Sequence, residues 1–141
     1  MRLDRIAPEA RSRIMRAIRK KNTRPELTVR KQVHALGYRF RLHRRDLPGS
    51  PDLVLARHQA VIFVHGCFWH QHAGCRHSNI PRSRPEYWLP KLARNVRRDK
   101  EARARLQAAG WRVLTLWECE LGDADMLRER LSEFLLSRKH V

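Results

Sequence analysis

Between Val61 and Cys75 the chain reads VIFVHGCFWHQHAGC, an apolar run that opens directly into His65, His70, His72 and Cys75. A strand that delivers imidazoles and thiols into one loop gives metal ligands and proton carriers a rigid support. His72, Cys75 and Cys119 are ligand types that suit zinc, and a loop plus a distant strand end can clamp a single ion. The fourth ligand is open at this point: Asp99 is the candidate, because its helical spacing turns it inward, and His77 is chemically as suitable. Asp52 opens the preceding strand, and His65 ends the next one thirteen residues later. Adjacent antiparallel strands would bring that carboxylate and that imidazole to one end of a sheet. There a carboxylate can hold Mg²⁺ and a histidine can move a proton, a combination suited to phosphodiester hydrolysis. Phe68, Trp69 and Trp88 stand among basic and polar residues, where apolar wedges can unstack base pairs at a cost of about a few kcal/mol per step.

The elements that would position these groups follow from periodicity. Residues 9 to 19 carry Ile14, Met15 and Ile18 on one face, a short basic amphipathic helix that suits an arm (residues 1–22) rather than a core element. Thr23 and Glu26 stand at capping-box spacing with Pro25 in the first turn, so a helix is expected from about 24 to 36, burying Leu27, Val33 and Leu36, with Gly37 ending it. YRFRL (38 to 42), DLVLA (52 to 56) and VIFV (61 to 64) read as a three-stranded meander. A long helix is expected from about Glu86 to Ala109, with Leu92, Val96, Asp99 and Leu106 on one face and Pro90 in or near its first turn. WRVLTLW (111 to 117) reads as a fourth strand, and a last helix buries Leu127, Leu131, Phe134 and Leu135. This order predicts one α/β domain over residues 1–141, a mixed β-sheet flanked by helices.

Composition narrows the partner. Lys and Arg number 31 against 14 Asp and Glu, a formal charge of +17. Arginine predominates, and its planar fork suits phosphate and guanine. The expected partner is nucleic acid. No apolar run of about 18 residues and no signal-like N-terminus occurs, so a cytoplasmic protein with no membrane partner is expected. Three cysteines without paired spacing fit metal binding or free thiols rather than a disulfide framework.

The stretches RSRIMRAIRKKNTRPE, GYRFRLHRRDLPGSPDLVL, VIFVHGCFWHQH, EYWLPKLARNVRRD and GWRVLTLWECEL, spanning about residues 11 to 122, together resemble the very short patch repair (Vsr) DNA mismatch endonucleases. The resemblance implies a restriction-endonuclease-like fold with a structural zinc site. It also implies a Mg²⁺-dependent nick of one strand 5′ to the T of a T:G mismatch left by deamination of 5-methylcytosine. By the same resemblance Asp52 and the main-chain carbonyl of Val64 hold Mg²⁺, while His65 and His70 handle the attacking water, with His70 oriented by Glu26. His72, Cys75, Asp99 and Cys119 hold zinc. Phe68, Trp69 and Trp88 intercalate beside the mismatch, Lys91 and Asn95 contact its bases, and Met15 with the N-terminal helix embraces the other groove. Double-stranded DNA with a T:G mismatch would be the substrate of a monomer, with mismatch-repair proteins as further partners. The sequence departs from the family pattern at Val64, where a threonine can occur, and at Pro90. His72 and Cys75 are also one residue further apart than in some relatives. A restriction-type lysine is absent, and His65 takes its place. Two other functions fit the same charge and aromatics: a zinc-stabilised module that binds distorted duplex without cutting, and a restriction-type nuclease that cuts matched DNA.

Overall fold

Both faces of the two central strands are apolar, which requires cover on each side. The computed structural model describes residues 23–136, and in it helices cover both faces of a four-stranded sheet. The described elements run α1 (Arg24–Ala35), β1 (Arg41–Leu42), β2 (Leu53–Leu55), β3 (Ala60–His65), α2 (Pro85–Ala108), β4 (Arg112–Trp117) and α3 (Ala124–Leu136). The proposed arm, with Met15, lies outside the described residues.

Sheet order follows chain order. β1, β2 and β3 form the expected antiparallel meander, and β4 pairs parallel with β3, so the sheet is mixed. A parallel neighbour needs a crossover, and the long loop with α2 supplies it. Strand alternation then sorts the side chains. Leu53, Leu55, Ala60, Ile62 and Leu116 face α1 and α3, meeting Val29, Val33, Leu127, Leu131 and Leu135. Val54, Val61 and Phe63 face α2 and meet Leu106. His65 is in phase with Val61 and Phe63, so period two alone aims it toward α2.

Two expectations about helix faces and turns need correction. In α1 the buried positions are Glu26, Val29 and Val33, whereas Leu27 is 41% exposed and Leu36 only partly buried. Thr23 caps this helix as expected, its hydroxyl accepting the Glu26 N–H at 3.4 Å. In α2 the first helical residue is Pro85, which puts Pro90 in the second turn. Proline there leaves the Glu86 carbonyl without its helical donor, yet Trp88 and Leu92 on either side remain buried.

The turn before β2 closes tightly on α2. Gly49 has φ +76°, and a β-carbon built there would lie 2.7 Å from the Ala102 methyl. Glycine both permits that backbone and leaves room for the helix. The turn delivers buried Pro51 and then Asp52 to the sheet's end.

Candidate active site and metal centre

β3 and β4 finish side by side, β2 starts at the same end because it runs the other way, and β1 hands over to His43 there. Three clusters of metal-ligating side chains lie at this end, each with its ligand atoms within 4.8 Å of one another: Glu26 with His43 and Asp52, His65 with His70 and Asp99, and Cys67 with His72, Cys75 and Cys119.

Asp52 is fixed by the strand beside it: the Val64 N–H donates to its Oδ2 at 2.7 Å. Burial, partly offset by that hydrogen bond, pushes its carboxyl up to about 6, with the nearby Glu26 carboxylate adding to the rise and His43 and His70 opposing it. His43 lies between the two acids, its Nε2 2.7 Å from Glu26 Oε2 and 3.9 Å from Asp52 Oδ1. Its backbone is left-handed at φ 49°, and its N–H donates to the Asp52 carbonyl at 3.2 Å. Glu26 also pairs with Arg30 one turn along α1.

The loop after β3 doubles back on itself. The His70 N–H donates to the Gly66 carbonyl and the His72 N–H to the Cys67 carbonyl, while Asn95 from α2 donates to the Trp69 carbonyl at 3.1 Å. This turn lays the His70 ring flat on His65, with centroids 3.7 Å apart and planes within 5°. His70 Nδ1 donates to Asp99 Oδ2 at 2.6 Å. That bond fixes the orientation of the ring and turns Nε2 away from Asp99; in the neutral ring Nε2 is then the acceptor. Burial chiefly, with the His70 charge second, lowers His65 to about 3, so its ring is neutral at neutral pH. Its Nδ1 has no hydrogen-bonding partner among the described residues.

Asp99 and Glu26 therefore stand elsewhere than the sequence suggested. Asp99 projects from α2 onto His70 rather than onto the thiols, because the turn folds His70 back over the α2 face of the sheet. Glu26 meets His43 rather than His70, because α1 begins beside the β1–β2 connection. Cys67, which lies outside the ligand set expected from the sequence, takes the fourth place beside His72, Cys75 and Cys119. Its position five residues before His72 was the available signal. His77 is absent from the cluster.

The thiol and imidazole set is built for a soft cation. His72 Nδ1 lies 3.4 Å from Cys119 Sγ and 3.8 Å from Cys67 Sγ. Zinc bonds of about 2.3 Å to sulfur and about 2.0–2.1 Å to nitrogen, arranged tetrahedrally, demand an S···N edge of roughly 3.6 Å, midway between the two. Ser78 braces the loop by donating to the His72 and Cys75 carbonyls at 2.9 and 2.7 Å. Burial pushes the Cys67 thiol up to about 12, so only a bound cation would hold it as a thiolate near neutral pH. The backbone N–H of His77 draws the Cys75 thiol the other way. All three cysteines are free of disulfides.

The aromatic residues form a cluster of their own. Trp88 is fully buried and Trp69 nearly so, with Phe68 half-buried against both. Phe68 meets each indole edge to face, at 5.1 and 5.3 Å. In this structure Trp88 and Trp69 pack as buried rings, and Phe68 is the most accessible of the three. Lys91 lies over the Trp69 ring at 6.0 Å, and Asn95, besides binding the Trp69 carbonyl, accepts from Arg98 at 2.8 Å. Among the described residues no helix is long and apolar enough to cross a membrane.

Residues 3–76 match the family model described as DNA mismatch endonuclease Vsr. The chain is 53% identical to a type II nicking enzyme, V.XorIIP, of Xanthomonas oryzae pv. oryzae, over 94% of this chain and 96% of that one. It is 42% identical to the DNA mismatch endonuclease Vsr of Escherichia coli K12, over 89% and 83% of the two chains. It is 38% identical to the type II nicking enzyme V.NmeAIP of Neisseria meningitidis, over 94% of each. Its fold is shared with the catalytic domain of the homing endonuclease I-Bth0305I, at a TM-score of 0.60 and 21% identity, covering 84% of this chain and 100% of that one.

Proposed function

Because the chain belongs to the DNA mismatch endonuclease Vsr family and is a DNA endonuclease, we propose that it nicks one strand of duplex DNA 5′ to the T of a T:G mismatch. Such mismatches arise from deamination of 5-methylcytosine, and the nick would start very short patch repair. The observation that carries this reading is that Asp52, held by the Val64 N–H, and a stacked His65–His70 pair oriented by Asp99 are gathered at the same end of the sheet. The relatives named as nicking enzymes support cutting of a single strand.

Asp52 and the Val64 carbonyl would hold Mg²⁺, which when bound polarises the scissile phosphate and stabilises the departing 3′-oxygen. The rest is work for the protein's own groups. His70, oriented through Nδ1 by Asp99, would in its neutral form take the proton of the attacking water at Nε2. His65 stays uncharged and, packed flat on His70, keeps that ring from turning away. His43 holds Glu26 and Asp52 as a pair. Phe68, backed by Trp69 and Trp88, would enter the duplex where a mismatch has already weakened stacking. Lys91 and Asn95, on the adjoining turn of α2, would reach the mismatched bases. Zinc in the Cys67, His72, Cys75 and Cys119 cluster would be structural, locking the loop that carries His70 and Phe68. The protein would act as a cytoplasmic monomer on double-stranded DNA, with mismatch-repair proteins as further partners.

Mapping cleavage on end-labelled duplexes that differ only in carrying T:G, T:A or C:G tests the reading. The expected result is one nick, 5′ to the mismatched T, in Mg²⁺ and none in EDTA. Equal cutting of the three duplexes would mean a nuclease for matched DNA, and binding without cutting would mean a recognition module.

A further inference from the structure

One indole touches both the thiol cluster and the histidine pair. Trp117 ends β4 directly opposite His65 in the parallel register. Its ring lies flat on His72, with centroids 4.2 Å apart and planes within 7°, and meets His65 edge-on at 5.2 Å. His65 in turn stacks on His70, and His70 binds Asp99. The backbone N–H of Trp117 donates to Glu120 Oε1 at 2.9 Å, closing the turn that presents Cys119. Five side chains, from His72 through Trp117, His65 and His70 to Asp99, thus form an unbroken file of ring and hydrogen-bond contacts from one cluster to the other.

We propose that Trp117 is a positioning residue that couples the two clusters: whatever orients His72 in the thiol site also sets, through the indole, the attitude of the His65–His70 pair. The inference rests on the nicking activity proposed above. Its logic is geometric. A ring stacked flat on one neighbour and butted edge-on against the other restrains the tilt of both, because either can turn only by losing its van der Waals contact with the indole. His72 is a ring whose orientation a bound cation would fix through Nδ1, and groups behind a metal ligand commonly tune how tightly it binds. Coupling must then run both ways, so loosening the indole should loosen the metal as well as slow the chemistry.

The test uses the zinc-loaded full chain as wild type, Trp117→Phe and Trp117→Leu. Two quantities are read for each: kcat and KM for a T:G duplex in Mg²⁺, and the rate at which zinc passes to a chromogenic chelator. The ring should matter in steps. Trp117→Leu should lower kcat about 30-fold with KM within about twofold, since a small misplacement of reacting groups acts on kcat. It should also release zinc about tenfold faster. Trp117→Phe, which keeps a smaller ring, should fall between on both. A folded Trp117→Leu with either quantity at its wild-type value overturns the coupling. If Trp117→Leu does not fold, the comparison of wild type with Trp117→Phe decides, and equality in either quantity overturns it. A wild type that cuts no T:G duplex overturns the proposed function and this coupling together, whereas a wild type that cuts while the variants match it overturns the coupling alone.

Discussion

Asp52 is held in an environment that suits its neutral form, although the proposed chemistry needs its charge. The sign follows from the two states of the group. Unfolded, an aspartate loses its proton near 3.9; folded, Asp52 keeps it up to about 6. Stability contributed by this residue is therefore complete below the unfolded value and is lost as pH rises through about 6. At neutral pH the ionised carboxylate weakens the fold by roughly 2–3 kcal/mol. Asp52→Asn, whose amide oxygen can still accept from Val64, should melt about 5–10 °C higher than wild type in Mg²⁺-free buffer at pH 7.5. A lower melting temperature would show that the carboxylate is not strained. Nicking should correspondingly decline as pH falls below about 6, where Asp52 gains its proton. His65 behaves oppositely. Burial lowers it to about 3, so the stability tied to its neutral form is present above its unfolded value and drains away as pH falls toward 3.

Residue types in the sequence pointed to both clusters, but not to their membership. Asp99 reads from its helical phase as an inward acid in need of a partner, and it has one in His70. Nothing in a linear pattern says whether that partner is an imidazole or a metal ion. Two variants separate the cases. Cys67→Ser should purify with about one zinc fewer per chain and melt well below wild type, because a structural zinc site contributes folding energy directly. Asp99→Asn should keep its zinc and lose about 10²-fold or more in kcat, as expected when the group that orients a proton-transferring histidine is removed. Metal analysis of the two purified proteins checks this; zinc lost from Asp99→Asn and kept by Cys67→Ser would restore the sequence-based ligand set.

At the scale of elements, existence and order are legible, and so are the buried faces of α2 and α3, with Leu92, Leu106, Leu127, Leu131 and Leu135 inside, but not that of α1. Short apolar runs gave the strands and a 3.6-residue period gave the helices, because both periods come from backbone geometry. In α1 the face was misjudged, since an inward Glu26 is invisible until His43 and Arg30 are seen around it. Pro90 was placed too near the helix start because Pro85, five residues earlier, already fills the favoured first position. Pro90→Ala restores a donor for the Glu86 carbonyl, and a gain of about 1–2 kcal/mol in urea unfolding is expected. Gly49→Ala should do the reverse. Its added methyl meets Ala102 and the backbone is left-handed, so a loss of about 2–3 kcal/mol is expected, with kcat falling too because that turn delivers Asp52. A Gly49→Ala protein as stable as wild type would mean that the turn does not pack as described.

For the whole molecule, charge decides how it meets its substrate. A formal +17 on 141 residues predicts binding dominated by phosphate neutralisation. With about six to ten contacts, affinity for any duplex should fall about 10³–10⁵-fold between 50 and 200 mM salt. Under the proposed function, selection among duplexes would rest on local features of the mismatch, read by Phe68 and the first turns of α2. The molecule divides these tasks along one sheet end: α1 and β2 present the acids, the β3 loop presents the histidines and Phe68, and the thiol cluster ties that loop to the end of β4.

The central claim is that Asp52, beside the oriented histidine pair, makes this protein a nuclease for T:G duplexes. Single-turnover nicking of T:G and matched duplexes in Mg²⁺, by wild type and Asp52→Asn with equal zinc content, tests it most directly. Wild type should nick the T:G strand at least about 100-fold faster than matched DNA, and Asp52→Asn should lose at least about 100-fold of that rate, several kcal/mol of transition-state stabilisation. Nicking by Asp52→Asn at the wild-type rate, or equal cutting of matched and mismatched duplexes by wild type, would contradict the account.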